Sequence, residues 1–381
     1  MRFPEFTEEW QGEQLHEIAE LSKGIGISKE QLSENGTPCI LYGELYTKYK
    51  SEIISKIISK TDIEKSKLKH SKQNDVIIPC SGETAIDIAV ARCVPFDNVL
   101  LGGDMNVIRL HKYDGAFMAY QLNGKRKTDI AKLAQGVSVV HLYGENLKSI
   151  KTYNPSLQEQ QKIVKLLSML DERLEGQNKI IEDLKKLKSA IIDKLYSSTN
   201  GEIYSFRQLF EVVNEKNKAR AYKNVLSASQ ELGMIERSDI NIDIKFEQES
   251  ISGYKIVHKG DYVVHLRSFQ GGFAFSDRTG ICSPAYIILR PNDLVVYGYL
   301  SHFFTSKPFI KSLKLVTYGI RDGRSINVDE WLDMPILLPP AQEQIRILTI
   351  VNAIDAKLHN EVKVQFCLSS QKSYLLNTMF I

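Results

Sequence analysis

Ser156-Leu157-Gln158-Glu159-Gln160-Gln161-Lys162-Ile163 is echoed by Pro340-Ala341-Gln342-Glu343-Gln344-Ile345-Arg346-Ile347, an offset of 184 positions that persists to the last residues of the sequence. In the first copy Leu167, Leu170, Leu174, Gln177, Ile181, Leu184, Lys188, Ile191 and Leu195 alternate steps of three and four, the spacing of a heptad seam. The same offset gives Val351, Ile354, Leu358, Glu361, Gln365, Leu368, Lys372, Leu375 and Met379. No proline and a single glycine, Gly176, fall between Ser156 and Ser197. An unbroken helix of about 60 Å is therefore expected, capped by Ser156 with Glu159 completing a capping box.

The segments before the two helices also correspond. Asn74-Asp75-Val76-Ile77-Ile78 matches Gly260-Asp261-Tyr262-Val263-Val264, each reading as a turn that opens a buried strand. Asn106–Leu110 and Tyr286–Arg290 read as strands, and Phe117–Gly136 and Tyr299–Gly319 as helical stretches that end at a glycine cap. The fold class is α+β, with a globular α/β domain and a long helix, twice: 1–155, 156–198, 199–339 and 340–381, with a hinge at 198–205. An apolar seam needs cover, and antiparallel pairing of the two helices would relate the copies by a pseudo-twofold axis. That geometry suits two separated half-sites on a duplex. A coiled-coil spacer or homodimerisation element stays open on periodicity alone.

With 381 residues, 43% hydrophobic and 25% charged, each half can bury a core. No apolar run is long enough to span a bilayer, and Met1-Arg2-Phe3-Pro4-Glu5 leads into acids, so a cytoplasmic protein with no membrane partner is expected. The five cysteines form no CxxC pair and read as structural thiols, with no metal site. Net charge is +3, and residues 1–155 hold 20 Lys+Arg against 20 Asp+Glu. A nucleic-acid role must rest on locally placed cations.

Catalytic signatures are absent. There is no GxxxxGK[ST], and Asn154-Pro155-Ser156 lacks the second proline and aromatic of an amino-methyltransferase motif. Gly24 and Gly26 lack the third glycine and preceding strand of a dinucleotide loop.

Candidate DNA-binding residues lie in loops, which strands can aim into a groove. In the first domain they are Lys23; Tyr42, Tyr46 and Lys48; Ser81 and Gly82 after a matched strand; and Lys125 and Arg126. In the second they are Arg267, Ser268 and Gln270, of which Arg267 and Gln270 are types that read guanine and adenine edges, with Tyr318, Arg321 and Arg324. The two sets differ, as expected of domains that read different sequences.

The duplicated Leu157–Val164 stretch with Leu184-Lys185-Lys186-Leu187-Lys188, the run Leu338-Pro339-Pro340-Ala341-Gln342-Glu343-Gln344, and Lys23–Lys29 followed by Gly36-Thr37-Pro38 and Tyr42–Thr47 together resemble the specificity subunit of type I restriction-modification enzymes. The resemblance covers essentially the whole chain, although a double proline is missing at the first helix and Glu361 and Gln365 make the second more polar. It implies a non-catalytic subunit whose two target-recognition domains each bind half of a bipartite DNA sequence, while the helices set the spacer. Two modification subunits would dock on it, the family's helix-start residues Gln158, Glu159, Gln160, Gln342, Glu343 and Gln344 being the subunit-interface candidates. S-adenosylmethionine, ATP and Mg are then expected on modification and restriction subunits, with no cofactor on this chain. A structural coiled-coil protein with two protein-interaction domains is the rival reading.

Overall fold

The computed structural model describes residues 2–229, 232–239, 248–265, 272–318 and 325–381. The chain divides into two compact units, Met1–Lys179 with Val362–Ile381, and Ile180–Glu361. Each unit therefore owns one globular domain and one half of each long helix.

In the first unit β1 (Gln11–Gln14) pairs antiparallel with β6 (Lys151–Asn154). Strands β2 (Ala19–Lys23), β3 (Asp75–Pro79), β4 (Arg92–Val94) and β5 (Met105–Leu110) form a sheet in the order β2-β5-β3-β4. Every residue of β3 is buried, because both faces of the sheet are covered. Val76 and Ile78 join a core containing Met118, Ala119 and Leu122 of α1 (Gly115–Asn123). Ile77 faces the opposite core with Ile40, Leu45 and Val107. A second four-stranded sheet runs Ser59–Thr61, Leu32–Ile40, Leu100–Leu101, Lys69–His70. The first long helix, α2, spans Leu157–Ser197.

The second unit repeats the plan. Strand β7 (Glu202–Ser205) pairs with β12 (Pro335–Leu338), and β8 (Phe210–Val213), β9 (Tyr262–Val264), β10 (Phe273–Phe275) and β11 (Ile287–Pro291) lie in the order β8-β11-β9-β10. Its core is aromatic, with Phe206 stacked on Trp331 at 4.3 Å and Phe273, Phe304 and Phe309 around them. After α3 (Tyr299–Phe303) the second long helix, α4, spans Ala341–Thr378.

Three expectations shift. The duplicated strands align with Arg109 opposite Arg290, one position from the expected register. Charge fixes this alignment: Arg109 clamps Asp75 at the head of β3 (2.8 and 2.7 Å), and Arg290 clamps Asp261 before β9 (2.9 and 3.0 Å). The preceding turn residue is left-handed in both, Asn74 at φ 77° and Gly260 at φ 101°. The helical stretch after each strand is broken in two, Gly115–Asn123 then Lys127–Lys132, and Tyr299–Phe303 then Lys307–Ser312. The second half of the 198–205 hinge is strand β7, since its backbone finds a ladder partner in β12.

Both long helices form as the seam requires, and within each unit the halves pair antiparallel. In the first unit Lys372 meets Asp171 and Gln365 donates to Asn178, so one helix counts up as the other counts down. In the second Lys188 meets Asp355 at 2.5 Å, and Ile192 packs with Val351. Asp355 stands 184 positions after Asp171, and Lys372 184 after Lys188, so the two ion pairs are repeats of one another. The seam residues Leu167, Leu170, Ile181, Val351 and Leu375 are buried, and Leu174, Leu184, Ile191, Ile354, Leu358 and Leu368 are half-buried.

Candidate nucleic-acid interface

Four of the candidate residues of the first domain gather at one corner of its sheet. Lys23 ends β2 and lies directly across from Asn106 on β5. Ser81–Gly82 follows β3 and pairs with Val140–His141, setting His141 opposite Ser81. The Tyr46 hydroxyl approaches the space a side chain on Gly82 would occupy, at 4.0 Å. Two residues that sequence reasoning missed complete the corner. Lys23 Nζ stands 6.0 Å from the ring of Tyr143, which stacks with the His141 ring at 6.3 Å. Tyr143 is 47% exposed, and Lys23 is exposed. A cation over an exposed aromatic pair can hold a phosphate or lie against a base edge. Val137-Ser138-Val139-Val140-His141 breaks strand alternation at Val140, and its ladder partner lies about 60 residues away, beyond local pattern reading.

Support beneath the corner is polar and tight. Ser81 is buried and donates to Asp104 at 3.0 Å, whose left-handed backbone (φ 54°) lets its carbonyl accept from Cys80. Ser81 thus shapes the loop from within. Asn106 donates to the Leu142 carbonyl at 3.0 Å, while its buried Oδ1 has no partner among the described residues. Gly24 packs backbone to backbone: a side chain there would fall 1.9 Å from the Gly102 carbonyl. Burial pushes the Cys80 thiol up to about 11 and keeps it protonated.

The remaining candidates are placed elsewhere or committed internally. Tyr42 is half-buried against the core of Ile40 and Leu45. Lys48 pairs at 2.7 Å with buried Glu44, its neighbour one helical turn back. Lys125 is exposed, and Arg126 is engaged by Asp129, by the Ile381 carbonyl at 2.7 Å and by the Tyr153 ring. In the second domain Arg267, Ser268, Gln270, Arg321 and Arg324 lie outside the described residues. Tyr318 closes a two-residue strand, Thr317–Tyr318, paired with Ser325–Ile326.

The subunit-interface candidates divide in the same way. Gln160 and Gln344 are fully buried, because each ties its long helix to its own domain. Gln160 accepts from the Asp114 backbone at 3.0 Å and donates to the Pro155 carbonyl at 2.8 Å. Gln344 accepts from Val296 at 2.8 Å and donates to the Leu294 and Pro339 carbonyls at 2.9 Å. Glu159 is buried as well, held by Arg2 at 2.7 and 2.8 Å and by the Trp10 indole at 3.3 Å, so its carboxylate leaves the capping box to Ser156 alone. These three are buried internal ties. Gln158 and Gln342 are exposed, and Glu343 pairs with Arg346 at 2.6 Å.

Among the described residues no helix is long and apolar enough to cross a membrane. The profile of the type I restriction modification DNA specificity domain matches residues 7–186. A putative type I restriction enzyme MjaX specificity subunit of Methanocaldococcus jannaschii is 24% identical over 98% of this chain and 93% of its own. The fold is that of the type I restriction-modification S subunit of M. genitalium, at a TM-score of 0.58 and 16% identity over 100% of this chain and 97% of that one. A chain from a structure of type I R-M complex assembly and conformational transition superposes at 0.61, with 14% identity over 98% and 97%. Residues 7–186 thus match a type I restriction modification DNA specificity domain, and over nearly its whole length the chain is similar to a specificity subunit of such systems.

Proposed function

We propose that this chain reads DNA without catalysing a reaction: each globular domain binds one half of a bipartite asymmetric target, and the paired helices hold the unread spacer between them. The observation that carries this is internal. Two domains with one strand order differ in the residues at the reading corner, as a device for two unlike half-sites would require. Phosphate contacts would supply affinity and loop side chains the sequence choice.

Two modification subunits would dock on the helices, bind S-adenosylmethionine and methylate adenine N6 after flipping the base out of the stack. A restriction subunit would use ATP and Mg. The test is to exchange residues 1–155 for the matching domain of a relative and map methylated adenines. One half of the motif should change and the other persist; a change in both halves, or in neither, contradicts the proposal. A gel shift of the complex with its modification subunits separates the rival protein-interaction reading, since binding should be sequence-specific and fall steeply with salt.

A further inference from the structure

The internal repeat locates in the second domain the place that Lys23, His141 and Tyr143 occupy in the first. That corner lies where β3 ends and β5 begins, at the cross-strand pair Pro79–Met105. The register of the repeat carries Pro79 onto His265 and Met105 onto Tyr286, the residues that follow β9 and precede β11. Their rings meet edge to face at 5.1 Å. Lys255 reaches over from a neighbouring strand and donates to the Tyr286 carbonyl at 2.7 Å. The hairpin Leu226–Ser229/Gly233–Glu236 brings in Arg237, whose Nε lies 3.4 Å from Ser227 Oγ. Ala228 of the same hairpin and Tyr286 pack against one core with Val263 and Ile288, which sets Arg237's hairpin beside the Tyr286 ring.

Each domain thus sets a histidine, a tyrosine and a cation at the same corner, drawn from different positions of the repeat. The cation is an ammonium in the first and a guanidinium in the second. Only the guanidinium is a planar fork able to grip a guanine edge or a phosphate with two parallel bonds. Resting on the DNA-reading function proposed above, we infer that Arg237, His265 and Tyr286 form the base-reading cluster of the second domain, with Arg237 choosing the base, and that Lys23, His141 and Tyr143 are its counterpart in the first.

The test uses the full chain assembled with its modification subunits, comparing wild type, Arg237→Gln and Tyr143→Ala. Methylated adenines are mapped across a genome, and affinity is measured on the wild-type sequence. Arg237→Gln should relax one half of the motif and weaken binding about 5- to 150-fold, the range for loss of one bidentate base contact. Tyr143→Ala should disturb only the other half. Should Arg237→Gln fail to assemble, Arg237→Lys keeps the charge, loses the fork and carries the same expectation. Unchanged motifs and affinities in both variants, or disturbance of the same half by both, overturn this inference while wild-type methylation leaves the broader reading intact. A wild-type complex that selects no sequence overturns both.

Discussion

The side chains that matter most for architecture are two glutamines. Gln160 and Gln344 each satisfy backbone groups of their own domain from inside a helix start, so alanine at either leaves a buried N–H and carbonyls unpaired. We expect Gln160→Ala and Gln344→Ala each to lower the stability of its own unit by about 1–3 kcal/mol in denaturant unfolding, with both long helices retained by circular dichroism. His302 sets a pH dependence in the second unit. Burial holds its imidazole below 6.5, the Lys188 ammonium adds to the depression, and Asp355 and a hydrogen bond with Asn352 oppose it. The unfolded chain then binds the proton more readily than the folded one. Stability is full above the unfolded value and declines as pH falls through about 6.5 towards the lower folded value. The unfolding midpoint of the second unit should drop between pH about 7.5 and about 5.5, and His302→Gln should flatten that slope; an unchanged slope would remove His302 from the explanation.

At the scale of elements, the long helices were legible because a 3–4 repeat over nine positions has a single structural reading, and their starts fell at Leu157 and Ala341. Which side chains face a partner was not. A glutamine at a helix start has the same letter whether it points to solvent or ties a loop, and Gln158 and Gln160 differ only by two steps around the helix. The corner that holds Lys23, His141 and Tyr143 was half legible for a similar reason. Lys23, Tyr46, Ser81 and Gly82 sit by loops that follow strong strands, whereas His141 and Tyr143 reach it through a strand partner distant in sequence. The duplicated Lys–Asp pairs show how environment separates equal chemistry. Lys372 lies 2.5 Å from both Asp171 and Glu52 and is almost enclosed, with the Tyr120 hydroxyl also donating to Asp171. Lys188 meets Asp355 where both are partly wet. We expect Lys372→Met to cost about 3–5 kcal/mol, because it strands two buried carboxylates, and Lys188→Met under about 1 kcal/mol. Equal losses would show that burial does not decide. A four-residue insertion beside Gly176 turns everything beyond it by about one helical turn, and should change the methylated spacing or abolish assembly; normal assembly with an unchanged motif would show that the helices do not act as a ruler.

At the scale of the molecule, the first unit is discontinuous. Trp10, Phe117, Ile163 and Leu167 share one core with Leu375, Met379 and Phe380 from the far end of the chain. The second unit is a single stretch, 180–361. Ending the chain after Glu361 should therefore expose the first domain to limited proteolysis while the second stays protected, and equal resistance of both would contradict the partition. The same arrangement bears on synthesis. A ribosome that emits residues 1–179 has made a domain whose tryptophan-lined hollow waits, through roughly two hundred further additions, for the twenty residues that close it, so the part translated first is the part that matures last.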